Sequence, residues 1–516
     1  MRKKIWTLVV VLLVGASSAQ AVEVSDKLTF VKQVSNAALY TFNYPTKSAS
    51  GEDVILSSVL MAWNPKDYKE GDQIETVHIY SHFTVTAQKE CPTSIGENTT
   101  SEQQMVINTL KRNYGYTSPA PFVGRSIVIA PDYEGYGVSK DVPHPYMASE
   151  ATARQVVDAV KYGLALYEKL VAEAGSTALP MSDDWRTFAY GFSQGGAITL
   201  AVQRYIEEND LADELRFQGS ICGDGPHDLV ETLRYYMFDN GDSYNAKTEH
   251  RKGMLSMTVV FPLILNGMLN ADPEMKNYRL EDFFTQQFLD TGIIEWLDSK
   301  NYTTGDIDKM WSNQAKNGLT ANGRTYTPEQ MQEIFYIDAG GSIWGKIEKI
   351  VQPEFYEYMS NPDNFAGVPT ESGNAFTDMH RALAKNSVAK GWQPLHRIVF
   401  FHSRYDMVVP YGNVESFRQE HPTEEGDLYM VIDDDFSKAD HGMAGTAFYI
   451  TLGLLERMGT QFTWLTEAVP TGIGDIAAER TGISSTGWYT LDGLKLIGKP
   501  SRKGIYICNG RKLALH

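Results

Sequence analysis

Apolar positions follow two rhythms that alternate through the first half of the chain. Val54 to Trp63 and Thr76 to Thr86 read as strands, and Ser126 to Pro131 is a short unbroken apolar run, as expected of a strand buried on both faces. Ser149 to Val171 then takes a helical period, with Val156, Val157, Val160, Leu164, Leu166 and Leu170 along one side. A strand follows at Thr187 to Tyr190, a helix at Ala197 to Tyr205 and another strand at Phe217 to Cys222. The rhythm resumes at Arg397 to Phe401 and Leu428 to Ile432, ahead of an apolar helix from Ala444 to Met458. This alternation predicts an α/β fold, with a mostly parallel central sheet and helices on both faces.

Between Leu229 and Pro394 the strand alternation lapses, and Met, Phe, Tyr and Trp become frequent. The run Met254 to Met268 is too short and too interrupted by proline to span a bilayer. It reads as a buried helix pair, or as part of an inserted cap whose apolar underside faces a site on the sheet. The expected organisation is a core over 22–228 and 395–460, a large inserted helical cap over 229–394 and a small C-terminal β module over 461–516. In that module Asn509-Gly510 separates Gly504 to Cys508 from Arg511 to Leu515, the signature of a hairpin with a tight turn, and Asp492-Gly493 suggests a second turn. The module is locally basic, with Lys495, Lys499, Arg502, Lys503, Arg511 and Lys512 against Asp492.

Length and composition narrow the class. At 516 residues the chain has room for two or three units, and 42% apolar with 21% charged residues is an ordinary globular composition. A formal net charge of −18 argues against a nucleic-acid partner, which needs a basic face. The N-terminus reads as a secretory signal over 1–21: basic Arg2-Lys3-Lys4, apolar Ile5 to Val14, and a small-residue cleavage site at Ala19-Gln20-Ala21. The mature chain is therefore expected to be exported (periplasmic, surface-held or released) and to lack a transmembrane helix. Three cysteines remain, Cys91, Cys222 and Cys508, an odd number. Cys91 and Cys222 follow strands on the same sheet edge, so they form either a bridge or a pair of buried thiols.

Candidate chemistry concentrates at Gly191-Phe192-Ser193-Gln194-Gly195-Gly196, between a predicted strand and a predicted helix. Small residues on both sides of a serine permit a turn sharp enough to expose its Oγ at a helix N-terminus, where developing negative charge is favoured. Such a nucleophile needs a base and an acid to orient it. Asp406 falls in the loop after Arg397 to Phe401, and His441 follows the last strand in Ala439-Asp440-His441-Gly442, so Ser193, His441 and Asp406 are the expected catalytic set. His402 and His421 lie near the same edge but do not follow the last strand, and Asp440 is too close to His441 in sequence to orient it. The acidic run Asp433 to Asp435 reads as a solvated strand end. The tetrahedral intermediate needs two backbone N–H donors. Gln194 supplies one, and the other is expected from Ser81-His82-Phe83-Thr84, near Phe83.

These stretches resemble the α/β-hydrolases of the secretory-lipase kind, which are related to serine esterases and prolyl-oligopeptidase-type peptidases. The resemblance rests on Ser81 to Thr84 with Cys91-Pro92-Thr93-Ser94, on Ala130-Pro131-Asp132-Tyr133-Glu134-Gly135-Tyr136-Gly137 with His144-Pro145-Tyr146, and on Gly191 to Gly196. Gly223-Asp224-Gly225-Pro226 and Asp406 with Val409-Pro410 complete it. It implies an α/β-hydrolase fold and hydrolysis of carboxylic esters, small or lipid-like, without metal or organic cofactor. It also implies that Phe83 stands where relatives carry glycine, and that Asp132 and Tyr133 hold the loop beside the oxyanion site. The C-terminal module resembles short modules of exported bacterial proteins, some of them type IX sorting tails; a structural cap on the core is the alternative. Two other functions remain open. A peptidase on the same fold would need acidic residues for a free amine, with Glu281, Asp282 and Glu348 as candidates, and an inactive binding protein would keep the fold alone.

Overall fold

The computed structural model describes residues 22–34, 37–96, 125–239, 251–422, 427–433, 439–458 and 464–465, and the short strands at 488–489, 495–496, 504–508 and 511–515. The signal segment, both proposed C-terminal turns, and Asp434 and Asp435 lie outside these residues. Nine strands form the main sheet: β1 Thr29–Val34, β2 Ala37–Lys47, β3 Asp53–Trp63, β4 Ile74–Ser81, β5 Ser126–Pro131, β6 Met181–Phe192, β7 Phe217–Gly223, β8 Arg397–His402 and β9 Tyr429–Asp433. Their spatial order is β1-β2-β3-β5-β4-β6-β7-β8-β9. From β5 to β9 every pairing is parallel, while β1, β2 and β3 join antiparallel at one edge. The apolar run of β5 is buried at every position, as its unbroken pattern requires.

Helices α1 (Ser149–Ala172) and α2 (Gln194–Glu208) contribute Val156, Val160, Ile198 and Val202 to a core shared with Ile79, Ile129 and Phe400. Phe448 of the last helix packs on Phe192 and Phe401 in a separate cluster with Tyr80, Val128 and Tyr190. Odd and even strand positions thus feed different apolar layers, which is the two-faced burial the sequence alternation implies. Cys91 and Cys222 are both buried free thiols, so no bridge joins them. The reason is packing: Cys91 sits with Val85 and Tyr136, whereas Cys222 belongs to the main core.

Between β7 and β8 the chain forms helices that include α3 (Leu229–Phe238), α4 (Val260–Ala271), α5 (Pro353–Ser360) and α6 (Ala375–Lys385), around an apolar core of their own. The region is not free of strands: short ones occur at Met254–Leu255, Leu319–Ala321, Arg324–Tyr326, Phe335–Ile337 and Ile343–Lys346. Met254 to Met268 is therefore a two-residue strand and most of α4, not a helix pair. Strands Gly504–Cys508 and Arg511–Leu515 pair antiparallel, with Cys508 opposite Arg511. Among the described residues, no helix is long and apolar enough to cross a membrane.

Candidate active site

The strand register brings the chemistry together. Gly191 pairs with Ser81 on one side and Cys222 on the other, and Gly223 pairs with Phe401, so β4, β6, β7 and β8 all end on one edge. Ser193 stands between β6 and α2 at φ 59° and ψ −124°, a conformation a non-glycine residue adopts only under strain. The turn works because its flanks lack side chains. A Cβ on Gly195 would stand 2.1 Å from the Ser81 carbonyl oxygen, and one on Gly196 would stand 2.3 Å from that of Gly223. This close approach also sets the segment after Ser81 directly beside Ser193.

His441 and Asp406 meet Ser193 there. His441 Nε2 lies 2.8 Å from Ser193 Oγ, and His441 Nδ1 lies 2.5 Å from Asp406 Oδ2. A carboxylate can only accept, so Nδ1 carries the proton and Nε2 offers its lone pair to the serine hydroxyl. Asp406 is fully buried and its other oxygen, Oδ1, accepts from Val408 N at 2.7 Å and Val409 N at 2.9 Å. Burial alone would raise the Asp406 carboxyl. The charge and hydrogen bond of His441, the charge of His402 and the Val409 N–H outweigh it and hold the carboxyl below the ordinary carboxylate value. His441 is itself the first residue of α7 (His441–Met458), not a loop residue ahead of it. Asp440 caps that helix, accepting from Met443 N at 2.9 Å, and does not orient the imidazole. His421 bonds instead to the Trp392 and Phe417 carbonyls.

The donor side is equally ordered. Gln194 opens α2, so its N–H is among the amides a helix leaves without an internal acceptor. Its side chain donates to His144 Nε2 at 3.2 Å, while His144 Nδ1 donates to the Glu134 carbonyl at 2.7 Å. Burial pushes His144 down to about 3, which keeps it neutral and able to accept. Phe83 follows His82, whose ring stacks on Tyr133 with centroids 3.9 Å apart and whose Nδ1 lies 2.7 Å from the Phe83 carbonyl. The expected strand to Thr86 ends at Ser81, and these contacts hold the chain away from the sheet. Tyr133, Gly135 and Gly137 all have positive φ, and the turn they make carries Asp132 inward. Asp132 accepts from Ser57 Oγ, Thr93 N and Thr93 Oγ1. Asp132→Ala would leave three interior donors without an acceptor, and we expect it to cost about 3 kcal/mol, read as a lower urea midpoint.

An apolar cavity opens onto Ser193, lined by Leu229, Leu233 and Tyr236 of α3, Ile264 and Leu265 of α4, Phe355, Met379 and Leu383. Among the described residues, no charged side chain lines it. None of the proposed amine-binding acids lines the cavity: Asp282 accepts from Arg279 N, Glu348 pairs with Lys349, and Glu281 is exposed. Sequence reasoning did not find these lining residues individually, because each looks like an ordinary core position on an amphipathic helix.

No protein-family model matches the chain, and no curated protein matches it. Solved structures do. A point mutant of the rice cell wall degrading esterase LipA from Xanthomonas oryzae superposes with a TM-score of 0.57 at 18% identity, over 83% of this chain and 92% of that one. Another structure of the same esterase gives 0.56 at 18% identity, over 83% and 91%. Parallel strands ending on one edge, a strained serine between β6 and α2, and overlap along most of both chains show that this protein has the α/β-hydrolase fold.

Proposed function

We propose that the protein is an exported serine hydrolase that cleaves carboxylic esters with an apolar acyl group through an acyl-enzyme. The observation that carries this reading is the continuous hydrogen-bonded line from Ser193 Oγ through His441 to Asp406 at the mouth of an apolar cavity. Ser193 Oγ attacks the carbonyl while His441 Nε2 takes its proton, and Asp406 stabilises the imidazolium. The Gln194 N–H and an N–H near Phe83 receive the oxyanion, at a helix N-terminus that favours negative charge. His441 then returns the proton to the departing alcohol, and water repeats the sequence to free the acid. The cavity takes the acyl chain, its apolar lining being that of a small-molecule site. The esterase activity of a protein with the same fold fits this reading.

A peptidase is disfavoured because, among the described residues, no charged side chain lines the cavity to hold a free amine. A fluorophosphonate probe should label the protein, and Ser193→Ala should abolish both labelling and turnover of nitrophenyl esters. An unlabelled wild-type protein would sink the proposal. Cleavage of proline-containing amides at rates comparable with esters would move it to the peptidases.

A further inference from the structure

The two N–H groups read as oxyanion donors, at Gln194 and near Phe83, lie far apart in sequence, and a third segment touches the flanks of both. This strap is His144-Pro145-Tyr146. On one side it lies against Gly135, where a Cβ would stand 2.6 Å from His144 Cα. On the other it lies against Gly267 of α4, where a Cβ would stand 2.1 Å from the Tyr146 carbonyl oxygen. Pro145 fixes one backbone angle and the Tyr146 N–H closes back on the His144 carbonyl at 2.8 Å, so the strap is short and stiff. Both His144 and Tyr146 are buried.

His144 reaches the first donor. Its Nδ1 donates to the Glu134 carbonyl at 2.7 Å, which leaves Nε2 to accept from the Gln194 side chain at 3.2 Å. Tyr146 reaches the second. Its hydroxyl lies 2.7 Å from Thr84 Oγ1, one residue beyond Phe83, while its side of the strap lines the apolar cavity with Ser193. Tyr133 adds a third link. Its ring lies nearly parallel to that of His144, at 6.4 Å, and stacks at 3.9 Å on His82, the residue before Phe83. Phe83 is thus flanked by two residues, His82 and Thr84, that are each tied back to the strap. An oxyanion hole works only at one separation of its donors, and a misplacement of about 1 Å can cost about 100-fold in rate.

We propose that His144 and Tyr146 are positioning residues that set the separation of the two oxyanion donors, one through the Gln194 side chain and the other through Thr84. This rests on the hydrolase reading above. The test cuts each bond while keeping shape and backbone: Gln194→Met, which retains the donor N–H, and Tyr146→Phe, which retains the ring. In both, kcat and kcat/KM for a nitrophenyl ester fall about 10- to 100-fold. Affinity for a trifluoromethyl ketone, which adds to Ser193 and carries an oxyanion, weakens in proportion. Affinity for the matching ether, which has no carbonyl, stays within about twofold. Thr84→Val reproduces Tyr146→Phe, and combining the two costs nothing further. An unchanged kcat, an equal loss of ketone and ether binding, or a Thr84→Val variant unlike Tyr146→Phe overturns the proposal. Each bond can also be cut from its other end, with His144→Phe standing in for Gln194→Met. A bond whose variants at both ends fail to fold is structural and counts against the proposal. Fluorophosphonate labelling separates the two claims. An unlabelled wild type removes the hydrolase reading, whereas a labelled wild type with unaltered variants removes this inference alone.

Discussion

Replacing Asp406 with asparagine lowers kcat by about 10⁴-fold while leaving KM and the fold nearly unchanged. The size of the loss follows from where the two oxygens of Asp406 are held. Oδ1 receives two backbone N–H groups, from Val408 and Val409, which the amide oxygen of asparagine satisfies equally well. The amide nitrogen is therefore forced onto the side facing His441. It meets Nδ1 as a donor, so the imidazole must carry its proton on Nε2 and presents an N–H to Ser193 instead of a lone pair. The base is lost without moving a heavy atom. Steady-state kinetics on a nitrophenyl ester, with thermal denaturation as a control, measures this. A loss smaller than tenfold would show that Asp406 does not orient the base.

Filling the apolar cavity separates long from short acyl chains. Leu233 is partly buried on α3 and lines the cavity, so Leu233→Trp takes up space that an acyl tail would use. Each methylene moved from water into an apolar site contributes about 0.8 kcal/mol, so excluding four of them costs about 3 kcal/mol, or roughly 100-fold in kcat/KM. Decanoyl esters should lose about that much, while acetyl esters change less than about threefold. Equal losses for both would place the acyl chain elsewhere.

Much of this site was legible in the sequence, for a physical reason. The nucleophile turn, the strands beside it and the order of Ser193, Asp406 and His441 are local patterns, each fixed by small residues or an apolar run in one short window. What escaped is set by distance along the chain. His144 and Gln194 are 50 residues apart and meet only in the fold, as do Thr84 and Tyr146 at 62. The antiparallel edge went unread because β2 carries Pro45 and Asn43 and its burial pattern is irregular, unlike a clean two-residue alternation. The short strands between β7 and β8 have two to four residues, below the span at which any period shows. Phe83 is held through His82, whose Nδ1 bonds the Phe83 carbonyl and whose ring stacks on Tyr133, not by a turn signal.

Two residues tie the inserted region to the acid loop. Tyr236 donates to the Val408 carbonyl at 2.7 Å, and Ser256 donates to that of Met407 at 2.8 Å, next door to Asp406. In the proposed hydrolase, a roof bolted to the acid loop cannot swing clear without moving Asp406. Turnover by such an enzyme would gain nothing from an oil–water interface, and molecules dissolved singly would be handled as readily as droplets.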